Sequence, residues 1–440
     1  MPFSIHGVHV PHRKNTQNKP VAKMDVPKTL TFPMSMHIGA PATPIVKVGD
    51  EVKVGTKIAE AGGAVSAPIH ASVSGKVTAI RDYLLSNGAV GKAVVIESDG
   101  EMTPDENIVP PVIDSKESLV AAVRESGIVG LGGAGFPTHV KLNVEPGKIE
   151  QLVINGAECE PYITSDSHTM VTRRDDMAYA LKILMEILQI KSVVIGVESN
   201  KKEAIASMKI LARELSDHGE VAVKVLPSIY PQGGEKVLVY NTTGKIIPIG
   251  KLPLHVGCVI LNSTTLATLG SYFKTGMPLV EKCVTVDGGA VTAPQNVMVP
   301  VGTSMEDVFA ACGGFRAEPA KLLYGGPMMG ISVPDTSAPV LKQTNAILAL
   351  TEKEAKLPKT TACISCGSCT NACPFGLTPA AIARAYNRKD AEALEALNIN
   401  ACMECGCCSF VCPANRPLVQ TNKLAKVLLR EEKAKEGTKA

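Results

Sequence analysis

The sequence contains no tryptophan, and aromatic residues make up only 4% of it. That composition argues against a surface that stacks nucleobases on aromatic rings. Neither sign of charge is in excess: 45 Lys and Arg stand against 42 Asp and Glu, a net of +3. So mild a field gives no footprint for nucleic acid. No stretch approaches the roughly 18 consecutive apolar residues that a membrane-crossing helix needs. The segment from Met1 to Lys23 is polar and rich in His, Lys and Pro, unlike an export signal. Work at a membrane is therefore expected only as a peripheral subunit.

The 440 residues are too many for one core, and three or four domains are expected. Thirteen cysteines are present, and nine of them lie between Cys363 and Cys412. A disulfide scaffold would be short and exported, so thiolate chemistry in a reducing compartment fits better.

Two cysteine motifs share one spacing. TACISCGSCTNACP supplies Cys363, Cys366, Cys369 and Cys373, closed by Pro374; NACMECGCCSFVCP supplies Cys402, Cys405, Cys408 and Cys412, closed by Pro413. Both read C-x2-C-x2-C-x3-C-P, the spacing of two-cluster bacterial ferredoxins, in which the fourth cysteine ligates the other cluster. The expected sets are Cys363, Cys366, Cys369 with Cys412, and Cys402, Cys405, Cys408 with Cys373, each holding a [4Fe–4S] cluster. Zinc is the alternative, but tetrahedral zinc usually takes two separated C-x2-C pairs. Cys407 falls outside the pattern, and Cys159, Cys258, Cys283 and Cys312 show no ligand spacing.

Upstream the chain changes character several times. From Pro44 to Glu97 short alternating segments are punctuated by Gly49, Gly55, Gly62, Gly63 and Gly75, the mark of a small all-β unit. Its phrase VKVGDEVKVGTKIAE resembles biotinyl and lipoyl carrier domains, but the turn APIHASVSG carries no lysine to modify, so a structural module is expected. From Ser115, helical and strand-like segments alternate (SKESLVAAVRESGI, QLVIN, MAYALKILMEILQ, KSVVIGVE), which predicts a parallel sheet with crossover helices. A second β-rich unit ends in a short helix capped by Thr303 or Ser304. Residues 340–358 read as a linker. His6, His9 and His12 recur near the N-terminus, where a solvated arm is expected rather than a metal site.

Gly130, Gly132 and Gly135 have G-x-G-x-x-G spacing. The dinucleotide fingerprint should follow a strand and open a helix, whereas here a helix precedes and Phe136–Pro137 follows. The glycines still allow close approach of backbone amides to a phosphate or ring; a plain interdomain turn is the alternative.

GGAGFPT with Lys141, followed by NGAECEP, resembles the NADH-binding flavoprotein subunit of respiratory complex I. The resemblance implies that Gly130, Gly132, Gly133, Gly135 and Phe136 line FMN and that Lys141 meets its phosphate or the nucleotide. It also implies that Asn155, Glu158 and Glu160 edge the flavin and nicotinamide pocket. PQGGEKVLV and ILNSTTL add Glu235 and Asn262 by the same resemblance. Departures occur at Leu131, where that family has Arg, at Lys236, where it has a second Glu, and at Leu261, where it has Asn. In order along the chain, the segments resemble the C subunits of Rnf-type ion-translocating ferredoxin:NAD oxidoreductases. That resemblance implies NAD(H) as substrate, membrane-embedded subunits and a ferredoxin-like subunit as partners, and no nucleic acid.

The expected fold class is multidomain α/β. It comprises an arm at 1–30, a barrel-sandwich-like β domain at 31–110 and an α/β FMN/NADH domain at 115–262. A β-grasp domain at 263–340, an α-helical two-cluster ferredoxin domain at 355–420 and a charged tail at 421–440 follow. The expected function is electron exchange between NAD(H), FMN and two clusters. The rival is a non-catalytic iron–sulfur adapter without flavin.

Overall fold

Short apolar alternation at the N-terminal side gives two small sheets, in a computed structural model that describes residues 7–437. One sheet orders Thr29–Pro33, Val90–Ser98, Gly75–Leu84 and Glu51–Val52; the other orders Thr43–Pro44, Lys57–Glu60 and Ile69–His70. Leu30, Phe32, Ile58, Ile69, Val94 and Ile96 fill the space between them. The turn that would carry a lysine in a swinging carrier is pinned. Within it the buried Ser72 hydroxyl donates to the Val301 carbonyl at 2.5 Å, and a Cβ at Gly75 would lie 2.1 Å from the Glu97 carbonyl oxygen.

The alternating segments form a four-stranded parallel sheet in the order Glu220–Leu226, Ser192–Glu198, Gln151–Gly156, Cys258–Asn262. Helices on its faces bury the central strands, which therefore carry continuous apolar runs. Leu152, Ile154, Val193 and Ile195 pack against Leu181, Leu184, Leu266 and Leu269. The helix Ser263–Thr275 belongs here rather than to the β-grasp domain expected to start at 263. It lies so close to Arg174–Ile187 that a Cβ at Gly270 would meet the Asp176 carbonyl oxygen at 1.9 Å. A helix leaving a parallel strand packs back on its own sheet, and that fixes the boundary.

A six-stranded mixed sheet follows, in the order Ala22–Lys23, Gln295–Pro300, Glu281–Asp287, Ala346–Leu350, Lys321–Tyr324, Ile331–Val333. Ser304 caps the helix Met305–Ala311 by accepting from the Asp307 amide at 3.1 Å. The expected linker at 340–358 instead contains Ala346–Leu350, an interior strand buried along its length. The N-terminal segment is packed, not a free arm. Val8 and Val10 are buried, the Val8 amide donates to the Tyr230 carbonyl at 2.8 Å, and Ala22–Lys23 adds an edge strand. His9 and His12 do face solvent, and His6 lies outside the described residues.

The cysteine-rich region is helical, with short helices at Ser368–Asn371, Pro379–Asn387, Ala391–Ala396 and Cys407–Phe410. The tail expected at 421–440 begins inside the helix Leu418–Gly437, whose Ala425 and Leu429 pack with Ile382, Leu394 and Ile399. Among the described residues, no helix is long and apolar enough to cross a membrane.

Candidate electron-transfer site

The two cysteine motifs are conformational copies. Ser365 and Glu404 share positive φ (55° and 61°), and Gly367 and Gly406 follow with 77° and 82°. Each left-handed pair turns the chain back on itself and launches a short helix, so three cysteines of each motif line one hollow. The fold then places the fourth cysteine of each motif beside the other set. Cys363, Cys366, Cys369 and Cys412 line one hollow of about 210 Å³. Cys402, Cys405, Cys408 and Cys373 line a second and tighter one, with Cys407 and Met403.

Among the described residues, no group of three or more His, Cys, Asp or Glu side chains is arranged to grip a single metal ion. Four sulfurs ringing a hollow suit a cluster better than one ion. Burial, then the neighbouring thiols, pushes Cys408 up to about 12; burial also raises Cys373 and Cys402. Thiolates there need cations between them, which the irons of a cluster supply. The donor set therefore fits [4Fe–4S] clusters.

The hollows differ in surroundings. Cys363 and Cys366 are exposed at the mouth of the first, beside Arg384 and Arg416. The second abuts the α/β domain: the buried Tyr230 hydroxyl donates to the Cys405 carbonyl at 2.7 Å. A Cβ on Gly234 would come within 2.3 Å of Met403 Cε.

That contact leads to the glycine-rich loop. Asn155, at the end of its strand, donates from Nδ2 to the Gly233 carbonyl at 2.9 Å. Lys141 Nζ lies 3.4 Å from Glu235 Oε1, which opens the helix Glu235–Thr243. Asn262 caps the helix Ser263–Thr275 by accepting from the Thr265 amide at 3.1 Å, and its Nδ2 donates to Asp166 at 2.8 Å. A Cβ on Gly132 would sit 2.9 Å from that Nδ2, so the loop is pressed onto Asn262. Gly130 closes the loop base: its amide donates to Phe136 O at 2.8 Å, and its carbonyl accepts from Gly135 N at 3.1 Å. Gly133 has φ of +121° and open space where a side chain would stand. Gly135 has φ of +66°, and its carbonyl accepts from Ile38 N of the barrel-sandwich domain at 3.0 Å.

The loop thus brings together most of the expected flavin residues at the carboxyl ends of the parallel strands, the usual ligand edge of such sheets. It also fits an anionic, planar ligand. No hydrogen bond among the described residues uses the Gly132, Gly133 or Ala134 amides. Nearby, Ser263 Oγ and Gln343 Oε1 are buried without partners. Two helix N-termini and Lys141 supply positive potential for a phosphate.

Glu158 and Glu160 behave differently from expectation. Glu158 accepts from the Asp166 amide and the Ser167 hydroxyl, both at 2.7 Å, and its other neighbour is Lys201 Nζ at 3.7 Å. Glu160 accepts from the Met328 and Met329 amides at 3.2 and 2.7 Å. The Glu158 oxygens are held within the α/β domain and those of Glu160 brace its junction with the β-grasp domain, because buried carboxylates need donors. Burial pushes Glu160 up to about 7, while those amides pull it down. Burial likewise raises Asp166 to about 6, with the Glu158 charge adding to it. Asp166, Thr265 and Lys282 are site residues that sequence reasoning missed. Their roles come from contacts far apart in the chain, and no local pattern marks them.

A parallel α/β domain with an amide-rich glycine loop, abutting a helical domain with two four-cysteine hollows, defines a flavin and iron–sulfur electron-transfer protein. Four family descriptions match in the same order. They are the RnfC barrel sandwich hybrid domain at 3–101, the Nuo51 FMN-binding domain at 123–271, the SLBB domain at 283–332 and a 4Fe-4S dicluster domain at 359–416. The C subunit of the Na(+)-translocating ferredoxin:NAD(+) oxidoreductase complex of Acetobacterium woodii is 43% identical, over 96% of this chain and 95% of its own. The proton-translocating counterpart of Clostridium ljungdahlii is 42% identical, over 94% and 91%. The C subunit of the Rhodobacter capsulatus ion-translocating oxidoreductase complex is 41% identical, over 98% and 84%. The chain belongs to this family, the C subunits of Rnf-type ion-translocating oxidoreductase complexes. Among solved structures, an NAD+-reducing [NiFe]-hydrogenase chain shares the fold at a TM-score of 0.52 and 14% identity, over 71% of this chain and 64% of that one.

Proposed function

We propose that this chain is the peripheral subunit through which a membrane-bound ferredoxin:NAD oxidoreductase exchanges electrons with NAD(H), via FMN and two [4Fe–4S] clusters. When bound, FMN supplies the exchange between a two-electron donor and one-electron carriers, and the clusters supply the one-electron relay. The protein's own part is geometry. Gly130, Gly132, Gly133, Gly135 and Phe136 shape a cradle that admits the flavin ring. Lys141, Asn155, Glu235 and Asn262 hold its edge and phosphate, while Glu158 and Glu160 brace the walls from behind. Cys402, Cys405, Cys408 and Cys373 hold the inner cluster, and Cys363, Cys366, Cys369 and Cys412 the outer one.

One observation carries the order of the relay. The inner hollow touches the 230–234 segment that Asn155 bonds, while the outer hollow opens to solvent at Cys363 and Cys366. The outer mouth, with Arg384, Arg416 and the exposed Ile364, is the face offered to a ferredoxin-like subunit. The membrane-embedded subunits hold the chain on the cytoplasmic side.

Anaerobic reconstitution with iron, sulfide and FMN, followed by NADH, tests this. The flavin should bleach near 450 nm, and both clusters should give reduced EPR signals. Without the inner cluster, the flavin should still bleach while the outer cluster stays oxidised. Failure to retain FMN, with no response to NADH, would leave only the adapter reading.

A further inference from the structure

Lys282 is a fully buried lysine whose ammonium has no carboxylate in hydrogen-bond contact. It stands on the β-grasp strand Glu281–Asp287 and donates to two backbone carbonyls, Leu131 O and Lys342 O, both at 3.1 Å. A buried cation is costly, and two neutral carbonyls only partly offset the lost hydration. A methionine would fill the same space without that cost. The position of the first carbonyl suggests what the charge does there.

Leu131 O belongs to the peptide whose other pole is the Gly132 amide. In a trans peptide the C=O and N–H point in opposite directions. Fixing the oxygen toward Lys282 therefore aims Gly132 N–H the other way, and the cation polarises that amide into a stronger donor. The preceding amide, Leu131 N, is held from another side by Thr265 Oγ1 at 2.9 Å. Gly132 is exposed, and its amide has no partner among the described residues.

We propose that Lys282 and Thr265 are positioning residues that lock the Leu131–Gly132 peptide so that the Gly132 amide donates to the bound flavin. This rests on the FMN reading above. The β-grasp domain thereby sets the electrostatics of a cradle built by its neighbour. Burial pulls the Lys282 ammonium down to about 7 against the nearby Asp166 carboxylate, and in its protonated form it favours the reduced, more negatively charged flavin over the oxidised form. Its sibling Lys342 is the natural control. That ammonium donates to the Pro68 and Gly127 carbonyls, joining the domains without touching the 131–132 peptide.

The test uses the full chain reconstituted with its clusters. The FMN dissociation constant is read by fluorescence quenching, and the midpoint potential of bound flavin by spectroelectrochemistry. Lys282→Met should weaken FMN about tenfold. A tenfold larger loss for the reduced form than for the oxidised one lowers the two-electron potential by about 30 mV. The near-isosteric Thr265→Val should weaken FMN several-fold, and it decides the question if Lys282→Met does not fold. Lys342→Met should lower thermal stability while leaving both flavin readouts at wild-type values. Wild-type affinity and potential in both Lys282→Met and Thr265→Val would overturn the proposal. So would an equal shift in Lys342→Met, which would mark a merely structural effect. If the unmodified chain retains no FMN, the flavin reading itself fails and this proposal falls with it.

Discussion

Replacing Gly132 by Ala probes the tightest contact of the cradle, and its cost follows from the geometry. An added Cβ would lie 2.9 Å from Asn262 Nδ2 and 3.1 Å from its Cγ. Either the loop shifts or Asn262 turns away, and turning breaks two bonds at once. One is the cap of the helix Ser263–Thr275, where Oδ1 accepts from Thr265 N at 3.1 Å, worth about 1 kcal/mol. The other is the 2.8 Å bond to Asp166, a hydrogen bond to a carboxyl group worth about 1.5–3 kcal/mol. The expected loss is thus about 2.5–4 kcal/mol in the stability of the α/β domain if Asn262 yields fully, together with weaker FMN binding. Urea unfolding of Gly132→Ala, Asn262→Ala and the double variant measures it. With Asn262 truncated to alanine only its Cβ remains, 3.3 Å from the added methyl, so the double variant should lose little more than Asn262→Ala, within about 0.5 kcal/mol. Losses that add in full would show that the methyl acts elsewhere and would refute this reasoning.

Cys373→Ala should empty the inner hollow and Cys412→Ala the outer one, each lowering bound iron from about eight atoms toward about four. EPR that assigns each loss to the motif's own three cysteines would disprove the crossed ligation. Tyr230→Phe leaves the Cys405 carbonyl without its 2.7 Å donor in a buried contact, so it should cost about 1–3 kcal/mol and slow reduction of the inner cluster by NADH. Stopped-flow rates unchanged from wild type would dismiss Tyr230 as a coupling element. Glu160 has a folded pKa of about 7 against an ordinary 4.5, so its contribution to stability is full below 4.5 and is lost as pH rises through 7. Glu160→Gln should flatten stability across that window and stabilise the chain above pH 7, by no more than about 3 kcal/mol. An unchanged pH profile would place the titration elsewhere.

What could be read from the chain was what short-range chemistry determines. The cysteine offsets and their closing prolines specify two centres within fifty residues, and the left-handed turns at Ser365, Gly367, Glu404 and Gly406 repeat because the spacing repeats. The parallel sheet was readable because strands buried on both faces carry unbroken apolar runs. Ala346–Leu350 passed for linker because its partners, Glu281–Asp287 and Lys321–Tyr324, come from earlier, separated stretches. The acidic pair Glu158 and Glu160 shows the limit from the other side. Its motif suggests a pocket edge, yet Glu160 spends its carboxylate on amides more than 160 residues away. Lys282 is the converse, an unremarkable lysine in sequence that reaches the loop peptide from 151 residues away. A motif names residues that stand near a ligand; which of them has an atom free to touch it depends on the donors and acceptors brought by the rest of the fold. In this chain those partners come from two other domains packed against one glycine loop, the barrel-sandwich domain through Ile38 and the β-grasp domain through Lys282.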